Sequence, residues 1–168
     1  VAAKIAATVR GSGIRYIGGH PMEGTERSGF ENSFGDLFAG ASMILCPEYC
    51  DDEKALKTVS DFFLEIGFGR ITLSSCAHHD EVIAFTSQLA HVVSSAYIHG
   101  RLSTEYSGFS AGSFADMTRV ARLSADMWTE LFFENGANLS DAIGELIDNL
   151  QKYKTALDTG DRAAMHTL

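Results

Sequence analysis

Through residues 80–100, DEVIAFTSQLAHVVSSAYIHG, the apolar positions recur at helical spacing. At roughly 100° per residue, Val82, Phe85, Leu89, Val92, Val93 and Ala96 gather on one side, and Asp80, Ala84, Ser87, His91, Ser94 and Ser95 on the other. The pattern predicts one long helix, buried along the first stripe and showing small hydroxyls and an imidazole along the second. No lysine falls in this stretch, so the second stripe does not read as a plain solvated face. Either something approaches it closely, or its Ser and His bond to a neighbouring backbone.

Before this helix the periods are mixed. Residues 1–9, VAAKIAATV, carry apolar side chains at 1, 5 and 9, the spacing of a helix already under way. No initiator Met or capping residue precedes them, which leads us to expect further chain upstream. Residues 14–17 read as a short strand ending at Gly18-Gly19, with His20 opening a polar, Gly-punctuated loop to Gly29. Residues 42–46, SMILC, read as a buried strand stopped by Pro47. Asp51 is placed to cap the next helix, with Leu56, Val59, Phe63 and Ile66 as its inner stripe and Gly67 as its stop. Residues 71–74 form a third strand.

From Ser75 onward no strand pattern returns. Helical pieces are expected over 115–123 and 125–134, and over 139–157 with Ile143, Leu146, Ile147 and Leu150 inward. The expected fold class is therefore mixed α/β, then all-α, with an α/β piece over residues 1–75 and a helical piece over 76–168. Three strands alone leave unpaired edges, so the first piece makes sense as the second half of a larger sheet.

Composition narrows the partners. The net charge of −9 works against nucleic acid or an anionic membrane, both of which need basic surface. Three cysteines, Cys46, Cys50 and Cys76, make neither a disulfide framework nor a zinc site. With no signal peptide and no membrane-spanning window, the chain reads as cytoplasmic.

Four groups of residues could carry chemistry. His20, next to a strand end, is suited to general-base work because an imidazole titrates near neutrality; a turn histidine bonded to backbone is the equal alternative. Ser87 and His91 lie one helical turn apart and could give two donors to one ligand, whereas the absence of G-x-S-x-G weighs against a serine hydrolase. Arg119, beside a Gly/Ser-rich break, could clamp a carboxylate through its planar fork, or simply pair with Asp116 on the surface. His78-His79-Asp80 with His91 lacks the further carboxylates a metal site needs. Neither Gly11-Ser12-Gly13 nor Gly18-Gly19 has the spacing of a phosphate-binding turn.

GGHPMEGTERSGFENSFGDLFAGASMILCP, HDEVIAFTSQLAH, FADMTRVA and MWTELFFEN, in this order, resemble the prephenate dehydrogenase family across residues 15–150 or so. The resemblance implies the second half of a Rossmann-like sheet followed by a helical dimerisation domain. It implies oxidative decarboxylation of prephenate to 4-hydroxyphenylpyruvate, with NAD or NADP as cofactor and a homodimer as the assembly. His20 matches the catalytic base of the H-P-x-x-G motif. Ser87 and His91 match the substrate-contacting S-x-x-x-H pair, Arg119 the carboxylate-holding arginine, and Thr25 and Glu26 the residues edging the pocket, with Asp116 and Glu26 as gates.

The chain departs from the family pattern at Gln88 for a common histidine, at Ala90 for a proline, and in a thinned Gly run before the Arg motif, Ser110-Ala111-Gly112-Ser113. Loss of the proline predicts a straighter helix. Family members that prefer arogenate often lack the second histidine of the motif, so His91 favours prephenate; arogenate is the alternative substrate. The family's dinucleotide fingerprint is absent from these residues, which are therefore expected to be inactive alone. A non-catalytic dimerisation or ligand-sensing module is the alternative from another class.

Overall fold

The computed structural model describes residues 2–25 and 29–168; Val1, the start of the predicted first helix, and Glu26, one of the candidate site residues, lie outside the described residues. The chain divides into two compact units, residues 1–79 and 80–168.

In the first unit, helix α1 (Ala2–Val9) precedes strand β1 (Gly18–Pro21). Strand β2 (Ser42–Cys46), helix α2 (Glu53–Glu65) and strand β3 (Arg70–Leu73) complete it. β2 and β3 are parallel with α2 as the crossover, as the strand–helix–strand order predicts. β1 lies antiparallel on the other side of β2.

The first strand is displaced from its expected place. Residues 14–17, apolar as they are, are not strand; pairing begins where it was expected to end, at Gly18. The register explains why. Gly18 faces Cys46, the last residue of β2, so residues before it have only Pro47 and its turn to meet. A proline donates no ladder hydrogen bond. Ile17 instead packs into the core of this unit, which is built on Met43, Leu45 and Phe68 with Leu56, Val59 and Phe63 of α2. Phe68 stacks on Phe38 with ring centroids 4.8 Å apart.

Asp52, not Asp51, caps α2. Its Oδ1 accepts from the Ala55 N–H at 3.0 Å, while its Oδ2 pairs with the Arg15 guanidinium. Those backbone and arginine bonds hold the Asp52 carboxyl below its usual range. Ile66, expected inward, sits in the C-cap and is exposed. Gly67 ends the helix with a positive φ of 110°, where a side chain would be strained. Gly69 is required for another reason: a Cβ there would stand 2.7 Å from the Gly40 carbonyl oxygen.

Helix α3 (Cys76–Ile83) carries the chain across the division into the second unit. Its first N–H, that of Cys76, donates to Glu48 Oε2 at 3.0 Å. Burial first, then the Glu48 side chain and the neighbouring Cys46, push the Cys76 thiol up to about 12. Cys46, Cys50 and Cys76 form no disulfide.

The second unit contains helices and turns, with no strand among its described residues. It comprises a π turn (Ala84–Gln88), α4 (Leu89–Ile98), α5 (Gly112–Thr118), a 3-10 turn (Arg119–Ala121), α6 (Ala125–Glu134), α7 (Gly136–Thr159) and α8 (Arg162–Thr167). α8 has no counterpart among the expected elements. Ala84, Leu89 and Leu139 form the core of this unit, with Val92, Val93, Phe132, Ala142, Ile143 and Leu146 against them. No helix among the described residues is long and apolar enough to cross a membrane.

The predicted helix over 80–100 runs in helical backbone through a π turn. Each extra residue in a turn rotates the remainder of the helix by roughly 100°. The buried face changes accordingly: Ala84, Gln88, Leu89 and Ser94 are buried, while Val82 and Phe85, assigned to the inner stripe, are exposed in the single chain.

Candidate functional site

His20 lies within β1, paired with Ile44 of β2, and not in the loop beyond a strand. Its backbone is therefore held by the sheet ladder. Its ring meets a partner from α3: Nδ1 of His20 is 2.8 Å from Nε2 of His79, the ring centroids are 5.1 Å apart, and the rings meet edge to face. Burial, and next the charge that His79 can carry, lower the His20 pKa from 6.5. A partly buried imidazole beside another imidazole is thus kept neutral at pH 7, the state in which it can accept a proton. Thr25 lies on the exposed segment after β1.

In the second unit the candidate residues cluster on and beside α4. Ser87 sits, partly buried, on the π turn, and His91 one turn further along. The His91 Nδ1–H donates to the Val120 carbonyl at 3.1 Å, and the ring lies 3.9 Å, centroid to centroid, from Trp128. A neutral His91 therefore presents its lone pair at Nε2. Three residues along α4, the buried Ser94 hydroxyl donates to the Met117 carbonyl at 2.6 Å. These two bonds grip the chain on either side of Arg119, whose side chain is exposed at the start of the 3-10 turn. Asp116, one turn earlier on α5, is also exposed. Ser94 and His91 do bond to neighbouring backbone, and that bonding is what fixes the arginine-bearing segment.

Two side chains escape a reading of the sequence. His79 suggests itself there only as a metal ligand; its contact with His20 depends on where β1 begins, which the apolar run at 14–17 disguises. Gln88 stands out only as a departure from a family pattern. It is buried, donating through Nε2 to the Leu131 carbonyl at 3.0 Å and accepting at Oε1 from Asn135 Nδ2 at 2.9 Å. Among the described residues no group of three or more His, Cys, Asp or Glu comes together as a metal site would require.

Comparison with known proteins gives this arrangement a class. Residues 1–73 match the family model described as prephenate dehydrogenase, nucleotide-binding domain, and residues 75–168 the one described as prephenate dehydrogenase, dimerization domain. Such a pairing of domains defines a dehydrogenase, an oxidoreductase with a Rossmann-like part followed by a helical part. The chain belongs to the prephenate dehydrogenase family.

It is 38% identical over 149 residues to the cyclohexadienyl dehydrogenase of Zymomonas mobilis, a match covering 84% of this chain and 50% of that protein. It is 29% identical over 155 residues to the prephenate dehydrogenase of Bacillus subtilis, covering 89% of this chain and 42% of that one. The chain thus spans about half the length of the curated relatives it matches.

Among solved structures, prephenate dehydrogenase of A. aeolicus in complex with hydroxyphenyl propionate and NAD+ superposes with a TM-score of 0.75 at 29% identity, over 92% of this chain and 56% of that one. Synechocystis arogenate dehydrogenase shares the fold, with a TM-score of 0.83 at 24% identity over 99% of this chain and 62% of that one.

Proposed function

We propose that this chain provides the substrate-binding and dimerising part of an enzyme that oxidatively decarboxylates prephenate to 4-hydroxyphenylpyruvate with NAD or NADP. The observation that carries the reading is His20: an imidazole fixed on a strand, kept neutral near pH 7 and gripped through one nitrogen. As the ring carbon bearing the hydroxyl is oxidised, the hydroxyl must lose its proton, and His20 accepts it. The ketone so formed loses the ring carboxylate as carbon dioxide, and the ring becomes aromatic. A nicotinamide, when bound, supplies the hydride acceptor.

Residues 1–73 contain no G-x-G-x-x-G turn to seat a pyrophosphate, so no contact of this chain with the dinucleotide is assigned. These residues alone are accordingly expected to turn over poorly.

In this reading Arg119 binds a substrate carboxylate, Ser87 donates to a substrate oxygen, and His91, its Nδ1–H held by Val120, meets the substrate through Nε2; Thr25, Glu26 and Asp116 keep the edging and gating roles that the family resemblance implies. Arogenate, bearing an amine where prephenate bears a keto group, is the other substrate this chemistry serves. The similarity to a cyclohexadienyl dehydrogenase keeps both in play. We further propose that the protein acts as a homodimer, in the cytoplasm, where its free cysteines stay reduced.

The test is turnover of the purified enzyme that contains this chain, with each substrate and each dinucleotide, followed as reduced nicotinamide, alongside His20→Asn. The variant is expected to lose the ~10²–10⁴-fold that a positioned base contributes to rate, with binding of the substrate retained. Undiminished activity in His20→Asn would sink the assignment of the base. Failure of the wild-type enzyme that contains this chain to oxidise either substrate would sink the reaction itself.

A further inference from the structure

His79 opens the stretch HDEVIAFTSQLAH and is assigned no role above, yet its ring nitrogen is within hydrogen-bond distance of the proposed base. Two imidazoles in such contact need one proton between the facing nitrogens, and its owner decides what His20 can do. If His79 Nε2–H donates, His20 is acceptor at Nδ1 and, when neutral, carries its own proton at Nε2. That nitrogen then has no lone pair for a substrate. If His20 Nδ1–H donates instead, the Nε2 lone pair of His20 is available. Only the second arrangement makes a base.

We infer that His79 is a positioning residue: its Nε2 accepts the Nδ1 proton of His20, which leaves the Nε2 lone pair of His20 to take the substrate's hydroxyl proton. This rests on the reading of His20 as the base.

The surroundings support the choice of partner. On β1 the neighbours of His20 are Gly19 and Pro21, and across the ladder on β2 stands the apolar Ile44. The titratable side chain that meets His20 from α3 is His79, its Nε2 2.8 Å from His20 Nδ1. A carboxylate in this place would fix the same tautomer but raise the basicity of His20, so that more of it would be protonated before substrate arrived. An imidazole accepting at Nε2 fixes the tautomer without adding a negative charge. When the substrate's O–H bond breaks and its proton passes to His20 Nε2, the Nδ1–H···Nε2 bond becomes charge-assisted and strengthens. His79 thus supports the imidazolium only as it forms, while retaining its own proton count.

The tautomer can be read directly. Imidazole nitrogen NMR of the labelled wild-type protein, at a pH where His20 is neutral, is expected to show His20 protonated at Nδ1 and bare at Nε2. The opposite tautomer would overturn the inference without any variant being made.

Kinetics of the enzyme that contains this chain give the second arm. His79→Ala should reduce kcat by about tenfold to a hundredfold, less than removal of the base itself, with KM little changed. Its acidic limb in kcat/KM should move to higher pH, because the burial that lowers the His20 pKa is relieved. His79→Gln, whose Oε1 can stand where Nε2 stood, should recover much of the kcat. If His79→Ala keeps wild-type kcat and pH limb while His20→Asn is inactive, the role of His79 is refuted and that of His20 stands. If His79→Ala loses rate with its pH limb unmoved and His79→Gln fails to recover it, His79 is merely structural. An active His20→Asn removes the base and this inference with it.

Discussion

One imidazole pair concentrates most of the chemistry that individual residues reveal here. His20 has its pKa pulled below 6.5 by burial and by His79, so the folded chain binds this proton less readily than the unfolded one. As pH falls through about 6.5 the unfolded state takes up the proton first, and the contribution of His20 to stability declines until the folded pKa is passed. Denaturant unfolding of wild type and His20→Asn across this window should show the two stabilities converging as pH falls. Parallel curves would remove the linkage. The same pair shows where reading a sequence stops. That His20 could be a base comes from its motif and from imidazole chemistry, whereas its partner lies 59 residues away and is found only by folding.

Among the elements, legibility depended on whether local pattern or tertiary pairing chose the boundary. SMILC is strand as expected because a short continuous apolar run stopped by Pro47 leaves few alternatives. Periodicity marks the α2 crossover and α6 in the same way. It does not mark β1, since Gly18–Pro21 has no strand-like composition and owes its state to the ladder with β2.

The π turn escapes for a similar reason. What holds it is a chain of amides contributed from elsewhere. Asn135 Nδ2 donates to the Asp80 carbonyl at 2.7 Å and to Gln88 Oε1, and Asn138 Nδ2 donates to Asn135 Oδ1 at 2.8 Å. Asn135→Ala strands the buried Gln88 oxygen and should cost about 1–3 kcal/mol. Thermal or urea unfolding would measure it, and a loss within error of zero would show that the amide network does not hold the turn.

At the scale of the whole molecule, the helical unit carries apolar surface that one copy leaves uncovered. On α7, Leu139, Ala142, Ile143 and Leu146 pack inward. The same stripe, continued at helical spacing, runs on through Leu150, Tyr153 and Leu157, which are 57%, 42% and 71% exposed. Covering this continuation is what a second copy would do in the proposed homodimer, and the match to a dimerisation domain spans it. Leu150→Asp, introducing a charge on the stripe, should shift the protein toward monomer in sedimentation or light scattering. An unshifted dimer would place the contact elsewhere.

The raised thiol at the root of α3 has a practical consequence. With Cys46 and Cys76 buried and only Cys50 partly open to solvent, a thiol-reactive dye at neutral pH should label one position quickly and the remaining pair slowly. The slow phase then works as a clock for transient breathing of the junction between β2 and α3, timing how often the ground beneath the proposed base comes loose.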